Sequence, residues 1–204
     1  MAALFSVTEA AAIAEVSPDT IRMALEKKSV MPSYKRKAGK AIRHRFSAGD
    51  VLFLKVLAEF PFALSKQDKN SLAQILSRGR KRATHWSLRG ADIVYRSGDV
   101  CVLFECKRYR QTIARNLAAY RRGQQRIVSS GDVLGGEPVF RGTRIPLQHV
   151  AALFRKGVDN REIAEDFPSL SSSDLAYARL FARLGQKPGR PRKRMLLRRE
   201  PRAA

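Results

Sequence analysis

The residue types that could cleave a phosphodiester bond gather in one stretch, "ADIVYRSGDVCVLFECK", where Asp92 is followed by Glu105 and Lys107 at the end of an apolar run. If that run is a strand, residues two apart share a face, so Glu105 and Lys107 point the same way. In such chemistry carboxylates hold Mg2+ and a lysine stabilises the charge that develops on phosphate. The same residues equally describe a solvated strand end. His44, His85 and His149 are scattered, without triad or metal spacing. Cys101 and Cys106 stand five apart, which is neither a zinc spacing nor a disulfide framework. They read as two buried, reduced thiols on opposite faces of one strand.

Asp92 with Glu105 and Lys107 resembles the bare pattern of the PD-(D/E)xK nucleases. Against it, no acidic helix precedes Asp92, and the surrounding section is short for that fold's core. Charge points to binding instead, with no catalytic residue, metal or cofactor expected. Lys and Arg number 40 against 18 Asp and Glu, a formal +22 over 204 residues. Such an excess attracts nucleic acid or an anionic surface through its field alone. It is uneven: residues 1–60 carry +4, 61–130 carry +11, 131–183 carry 0 and 184–204 carry +7. At 44% hydrophobic residues the composition is that of a folded chain. No apolar run reaches the ~18–20 residues of a membrane span. "MAALFSVTEAAAIAEV" lacks the cationic start of a signal peptide. A cytoplasmic protein with no membrane partner is expected.

The elements that would position a nucleic-acid contact begin at "FSVTEAAAIAEVSPDTIRMALEKK". Ser6 with Glu9 has the capping-box spacing, and Ala10, Ile13 and Ala14 share a helix face. Ser17 as N-cap, with Pro18 at the first position, starts a second helix. Only Ala14 to Val16 separate the two, which is helix-turn-helix spacing. Ile21 and Leu25 face inward, leaving Asp19, Thr20, Arg22, Met23 and Lys27 outward beside Ser17. In "PSYKRKAGKAIRHRFSAGDVLFLKVL" two basic segments flank a hairpin turn at Ala38-Gly39. Ser47 then caps a helix through Val51, Leu54, Val56 and Leu57. Lys35, Arg36, Lys37, Lys40, Arg43 and Arg45 suit phosphate contacts, which set register and affinity without reading bases. This stretch resembles a MerR-type winged helix-turn-helix. Glu15 stands at the turn where glycine is common. Pro61 cuts off a long dimerising coiled coil, so effector sensing of the MerR kind is not implied.

Next, "LSKQDKNSLAQILSRG" reads as a helix started by Ser65 and stopped at Gly79. Short β-prone segments punctuated by Gly90 and Ser97-Gly98 follow, as a small antiparallel sheet. A helix from about Arg108 to Val128 carries Ile113, Leu117 and Tyr120 on one face.

The neutral stretch contains "GGEPVFRGTRIP". Gly135, Gly136 and Gly142 permit backbone conformations closed to other residues, and Val139-Phe140 make a short extended piece. Pro146 opens a helix with Val150, Leu153 and Phe154 on its apolar stripe, closed by Gly157. Asp159 or Asn160 caps a second helix through Ile163 and Phe167. Ser171 or Ser172 caps a third, with Leu175, Ala178, Phe181 and Ala182 inward. "GGEPVFRGTRIP" and "DFPSL" closely resemble the family known as domain of unknown function 433. With a helix-turn-helix ahead, the order resembles the larger VapB-class antitoxins. That resemblance implies a PIN-like ribonuclease toxin as partner and repression of the operon that encodes both. Gly135, Gly136, Glu137, Arg141, Gly142, Thr143 and Arg144 are the candidate toxin-binding residues. Arg141 and Arg144 suit the carboxylates of a metal-dependent ribonuclease; the alternative is a loop that merely pins the helices together.

The tail, "GQKPGRPRKRMLLRREPRAA", is rich in Pro, Gly and Arg, and disorder is expected of it alone. Its "PGRPRKR" resembles an AT-hook, which lies in a narrow A·T-rich minor groove. Pro188 stands where that motif usually carries a basic residue, and a generic basic tail is the alternative. Either version offers Arg190, Arg192, Lys193 and Arg194 to DNA.

The fold expected is mainly α with small β elements (α+β). A winged helix-turn-helix occupies 1–62, and a helix, small antiparallel sheet and long helix occupy 63–128. A three-helix homeodomain-like, toxin-binding module occupies 129–184, and a basic tail 185–204. The function expected is that of a type II antitoxin, which neutralises a PIN-like ribonuclease and represses its operon by binding operator duplex as a homodimer. Dimerisation follows because one short recognition helix reads too few base pairs. A stand-alone transcription regulator without a toxin is the alternative, and a small nuclease a third.

Overall fold

Serine side chains set the first two helix starts. Ser6 Oγ accepts from the Glu9 N–H, and Glu9 Oε2 accepts from the Ser6 N–H at 2.7 Å, opening α1 (Val7–Ala14). Ser17 Oγ accepts from Thr20 N–H to open α2 (Pro18–Glu26). The computed structural model describes residues 3–38, 41–60, 63–131 and 134–184, with the backbone alone at Arg36, Ala38, Ala41 and Leu134. The turn expected at Gly39, together with Lys40, Pro61 and the tail candidates Arg190, Arg192, Lys193 and Arg194, lies outside the described residues.

Strands β1 (Tyr34–Ala38) and β2 (Ala41–Arg45) form an antiparallel hairpin. Helix α3 (Ala48–Glu59) follows, opened by the Ser47/Asp50 capping box, and every residue from Asp50 to Val56 is buried. Ser65 caps α4 (Lys66–Leu76), as expected from its sequence. The central sheet is an antiparallel meander of β3 (Arg82–Ala83), β4 (Trp86–Arg89), β5 (Asp92–Ser97) and β6 (Val100–Phe104). One sheet face carries Trp86, Ile93, Tyr95 and Phe104 onto Phe60. Because β6 is an edge strand, Cys101 is exposed, contrary to the expectation of two buried thiols. Cys106 is buried, but beyond the strand.

Helix α5 (Lys107–Arg126) ends two residues before the expected stop. Ile127-Val128 form β7 and pair antiparallel with β8 (Val139–Phe140), so the strand hydrogen bonds outcompete another half-turn of helix. Helices α6 (Leu147–Arg155), α7 (Asn160–Asp166) and α8 (Ser172–Arg183) complete the chain, with Asp159 capping α7 and Ser171 capping α8. The whole is a mostly helical α+β chain with short sheets.

Small side chains let α1 sit at the centre. Ala10, Ala11, Ala12 and Ala14 are buried with Ile13, and α1 touches α2, α3, α5 and α8. Helix α8 is buried on two sides, by α6 and by α5, which explains why Tyr177 and Leu180 join Leu175 and Ala178 in the interior. One cluster of buried apolar residues runs from Phe5 to Leu180.

Candidate nucleic-acid interface

The turn between α1 and α2 is built by Glu15, which adopts the left-handed conformation (φ 55°, ψ 46°) and donates its N–H back to α1 carbonyls. That conformation costs a non-glycine residue roughly 1–2 kcal/mol. Long-range bonds hold it there. Asn116 Nδ2 of α5 donates to Ile13 O at 2.9 Å and to Glu15 Oε1 at 3.2 Å, and Arg183 of α8 donates to Glu15 Oε1 at 2.7 Å. Burial pushes the Glu15 carboxyl up, but the Asn116 bond and the Arg183 charge outweigh it and leave the group below its ordinary value. Asn116 and Arg183 escape local sequence reading because they lie 101 and 168 residues from Glu15.

Beyond the turn, Asp19, Thr20, Arg22 and Met23 on α2 and Lys27 at its C-cap are all exposed, as expected. Met23 is 51% exposed. Ser17 and Thr20 share a 2.9 Å hydroxyl contact while capping the helix, and Arg22 is paired with Asp19. On the hairpin, Arg36 stands opposite Arg43 and Lys35 opposite His44. Lys35, Lys37 and Arg43 are exposed. Arg45 is different: it lies 3.6 Å from Glu9, anchoring the hairpin's base to α1.

Glu105 and Lys107 do not share a strand face. Strand β6 stops at Phe104, Lys107 is already the first residue of α5, and Glu105 lies between them, exposed. Asp92 Oδ1 accepts the Cys106 N–H at 2.8 Å, tying the start of α5 to β5. Among the described residues no group of three or more His, Cys, Asp or Glu is placed to hold a metal ion.

The glycine-rich loop folds back on itself. Phe140 N–H donates to Ile145 O, Thr143 Oγ1 donates to Phe140 O at 2.9 Å, and Ile145 N–H donates to Thr143 Oγ1 at 3.1 Å. This closed turn requires φ +79° at Gly142, a conformation glycine adopts without strain. Gly135 and Gly136 belong to a short 3-10 turn, Leu134–Gly136, and Glu137 is half-buried beside it. Arg141 N–H donates to Arg126 O at 2.7 Å, fastening the loop to α5. The side chains of Arg141 and Arg144 are exposed and make no ion pair among the described residues. Beneath the loop, Arg126 grips the fully buried Asp174 through two bonds of 2.9 and 2.8 Å. Burial raises the Asp174 carboxyl, and the Arg126 and Ser171 donors more than reverse it, leaving it below the ordinary value.

Residues 127–182, which hold this loop and the three helices after it, match the family model described as "Protein of unknown function (DUF433)". A curated relative, the "Uncharacterized protein y4eO" of Sinorhizobium fredii, is 39% identical over 66 residues, covering 32% of this chain and 30% of that protein. The match thus spans less than a third of the relative's length. No solved structure matches. Among the described residues no helix is long and apolar enough to cross a membrane.

Proposed function

We propose that this chain binds double-stranded DNA through residues 7–45 and a protein partner through residues 127–182, in the manner of a VapB-class antitoxin. One observation supports the DNA reading above the rest. A tightly turned helix pair presents Thr20, Arg22 and Met23 on the outer face of α2 and Lys27 at its end, next to a hairpin that exposes Lys35, Lys37 and Arg43. In that reading α1, α2, β1, β2 and α3 are a winged helix-turn-helix. Helix α2 enters the major groove, and Lys35, Lys37 and Arg43 contact phosphates. Nine residues of α2 span only about 13 Å, so a homodimer is needed to read two half-sites.

The neutral charge of residues 131–183 suits a protein partner, and the free guanidinium groups of Arg141 and Arg144 suit its carboxylates. The resemblance to VapB-class antitoxins makes that partner a PIN-like ribonuclease and the duplex an operator. No catalysis is assigned to the chain itself. One feature favours the second reading, a regulator without a toxin: Thr143 and Arg141 give the loop a structural task independent of any partner.

Two measurements separate these readings. Fluorescence anisotropy should give tighter binding to duplex from the chain's own upstream region than to a scrambled duplex. No duplex binding at moderate salt removes the DNA role. Co-expression with the adjacent reading frame should yield a complex that loses its partner on Arg141→Ala/Arg144→Ala substitution. Duplex binding without any complex leaves the stand-alone regulator.

A further inference from the structure

Helix α5 carries seven cations and no acid in 20 residues. Two of them have partners: Arg110 Nε donates to Ala91 O, and Arg126 holds Asp174. Lys107, Arg108, Arg115, Arg121 and Arg122 are exposed and make no hydrogen bond or ion pair among the described residues. Arg108, Arg115 and Arg122 are spaced seven apart, which aligns them in one row about 10 Å apart and about 21 Å long. The opposite side of the helix, Ile113, Asn116, Tyr120 and Gly123, is buried.

Fold stability does not account for this row. Cations in the first turn oppose the helix dipole, and Lys107 and Arg108 sit there with no acid to offset them. Three carboxylates are engaged elsewhere, Glu9 by Tyr120, Glu15 by Asn116 and Arg183, Asp92 by Cys106, while the exposed Glu105 makes no ion pair with the row among the described residues. An amphipathic helix lying in a lipid surface needs apolar side chains on the exposed face. Here that face is Arg, Lys, Gln111, Ala114 and Gln125, and the helix's apolar side packs on α1, α3 and α8. A duplex backbone needs only aligned positive charge.

We propose that the Arg108–Arg115–Arg122 row is a second contact surface for the backbone of double-stranded DNA, beyond the helix pair and hairpin. This rests on the DNA reading above. Glu9 links the two surfaces, since its carboxylate accepts from Tyr120 of α5 at 2.6 Å and lies 3.6 Å from Arg45 at the hairpin base. The α5 row is thereby tied to the hairpin base through one carboxylate and adds nonspecific affinity, steering the protein along DNA without choosing a sequence.

The test is the salt dependence of binding to a duplex of about 30 base pairs, using the full chain. Each lost phosphate contact lowers the slope of log K against log salt by about 0.9. Arg108→Gln/Arg115→Gln/Arg122→Gln should therefore lower the slope by about 2.7, with the preference between duplex sequences unchanged. The corresponding triple Lys variant, which keeps charge, should retain the slope. An independent Lys35→Gln/Lys37→Gln/Arg43→Gln variant reports on the hairpin alone. If only the hairpin variant loses slope, the α5 row is not a DNA surface and the DNA reading stands. If the unaltered chain binds no duplex, both fall. If the α5 variant instead loses binding only to vesicles containing anionic lipid, the row serves a membrane and the proposal is overturned.

Discussion

Glu15 and Arg183, 168 residues apart, meet at 2.7 Å and join the end of α8 to the turn between α1 and α2. Helix α8 is thus fastened to the turn between α1 and α2 through the fold itself. Both side chains are partly exposed, at 29% and 40%, so solvent screens the pair. A double-mutant cycle of Glu15→Gln and Arg183→Ala should return a coupling of roughly 0.2–1 kcal/mol. Urea unfolding read from the single tryptophan, Trp86, which is buried, measures it. Additive effects would mean that the contact contributes nothing to the fold.

Gly123 faces Tyr177 where α5 crosses α8, and a Cβ there would lie 1.9 Å from the ring's Cγ. Alanine normally favours a helix over glycine by about 1 kcal/mol. At this site overpacking costs about 1–3 kcal/mol or more and wins. Gly123→Ala should lower the urea midpoint and expose residues 127–182 to protease before the rest of the chain. A midpoint at or above that of the parent would show that the helices separate without cost.

How much of this was legible beforehand follows from the range of each interaction. Ser6, Ser17, Ser47, Ser65 and Ser171 announced their helices because a cap is made within three residues of itself. The exposed face of α2 was equally legible from its period. Strand β7 was not, because Ile127-Val128 continue an apolar pattern and become a strand only when Val139-Phe140 arrive to pair with them. Burial of Asp174 was hidden for a similar reason: the motif reveals a cap, while the second role, binding Arg126, depends on how α8 docks. Glu105 and Lys107 could share a face only if the apolar run stayed a strand through Lys107, and it ends at Phe104.

Tyr120 donates to Glu9 at 2.6 Å and accepts from Gln124 at 2.8 Å, deep against Phe5. Burial raises its hydroxyl well above the usual tyrosine range, and the Glu9 carboxylate adds to the rise. A raised value in the folded state means that the contribution to stability is complete below the unfolded value of about 10 and is lost as pH rises through the folded value. Tyrosinate absorbance should therefore have a late component that coincides with loss of Trp86 burial, reduced in Tyr120→Phe. Complete ionisation while Trp86 stays buried would contradict the Tyr120–Glu9 contact.

Asp174 supplies the acid counterpart. It is fully buried, caps α8 through Ser171 and receives Arg126 in two-pronged fashion. Its folded value lies below the ordinary one, so the unfolded chain binds the proton more readily. The stabilisation is complete above the unfolded value, about 3.9, and drains away as pH falls through the lower folded value. Asp174→Asn keeps the size and part of the cap but removes the charge. At pH 7 it should cost roughly 1.5–3 kcal/mol, the worth of charge-assisted hydrogen bonds, and the gap to the parent should narrow as pH falls below about 3.9. Urea midpoints at pH 7, 4 and 3 report this, and a gap of constant size across that range would mean that the charge on Asp174 adds nothing to its contact with Arg126.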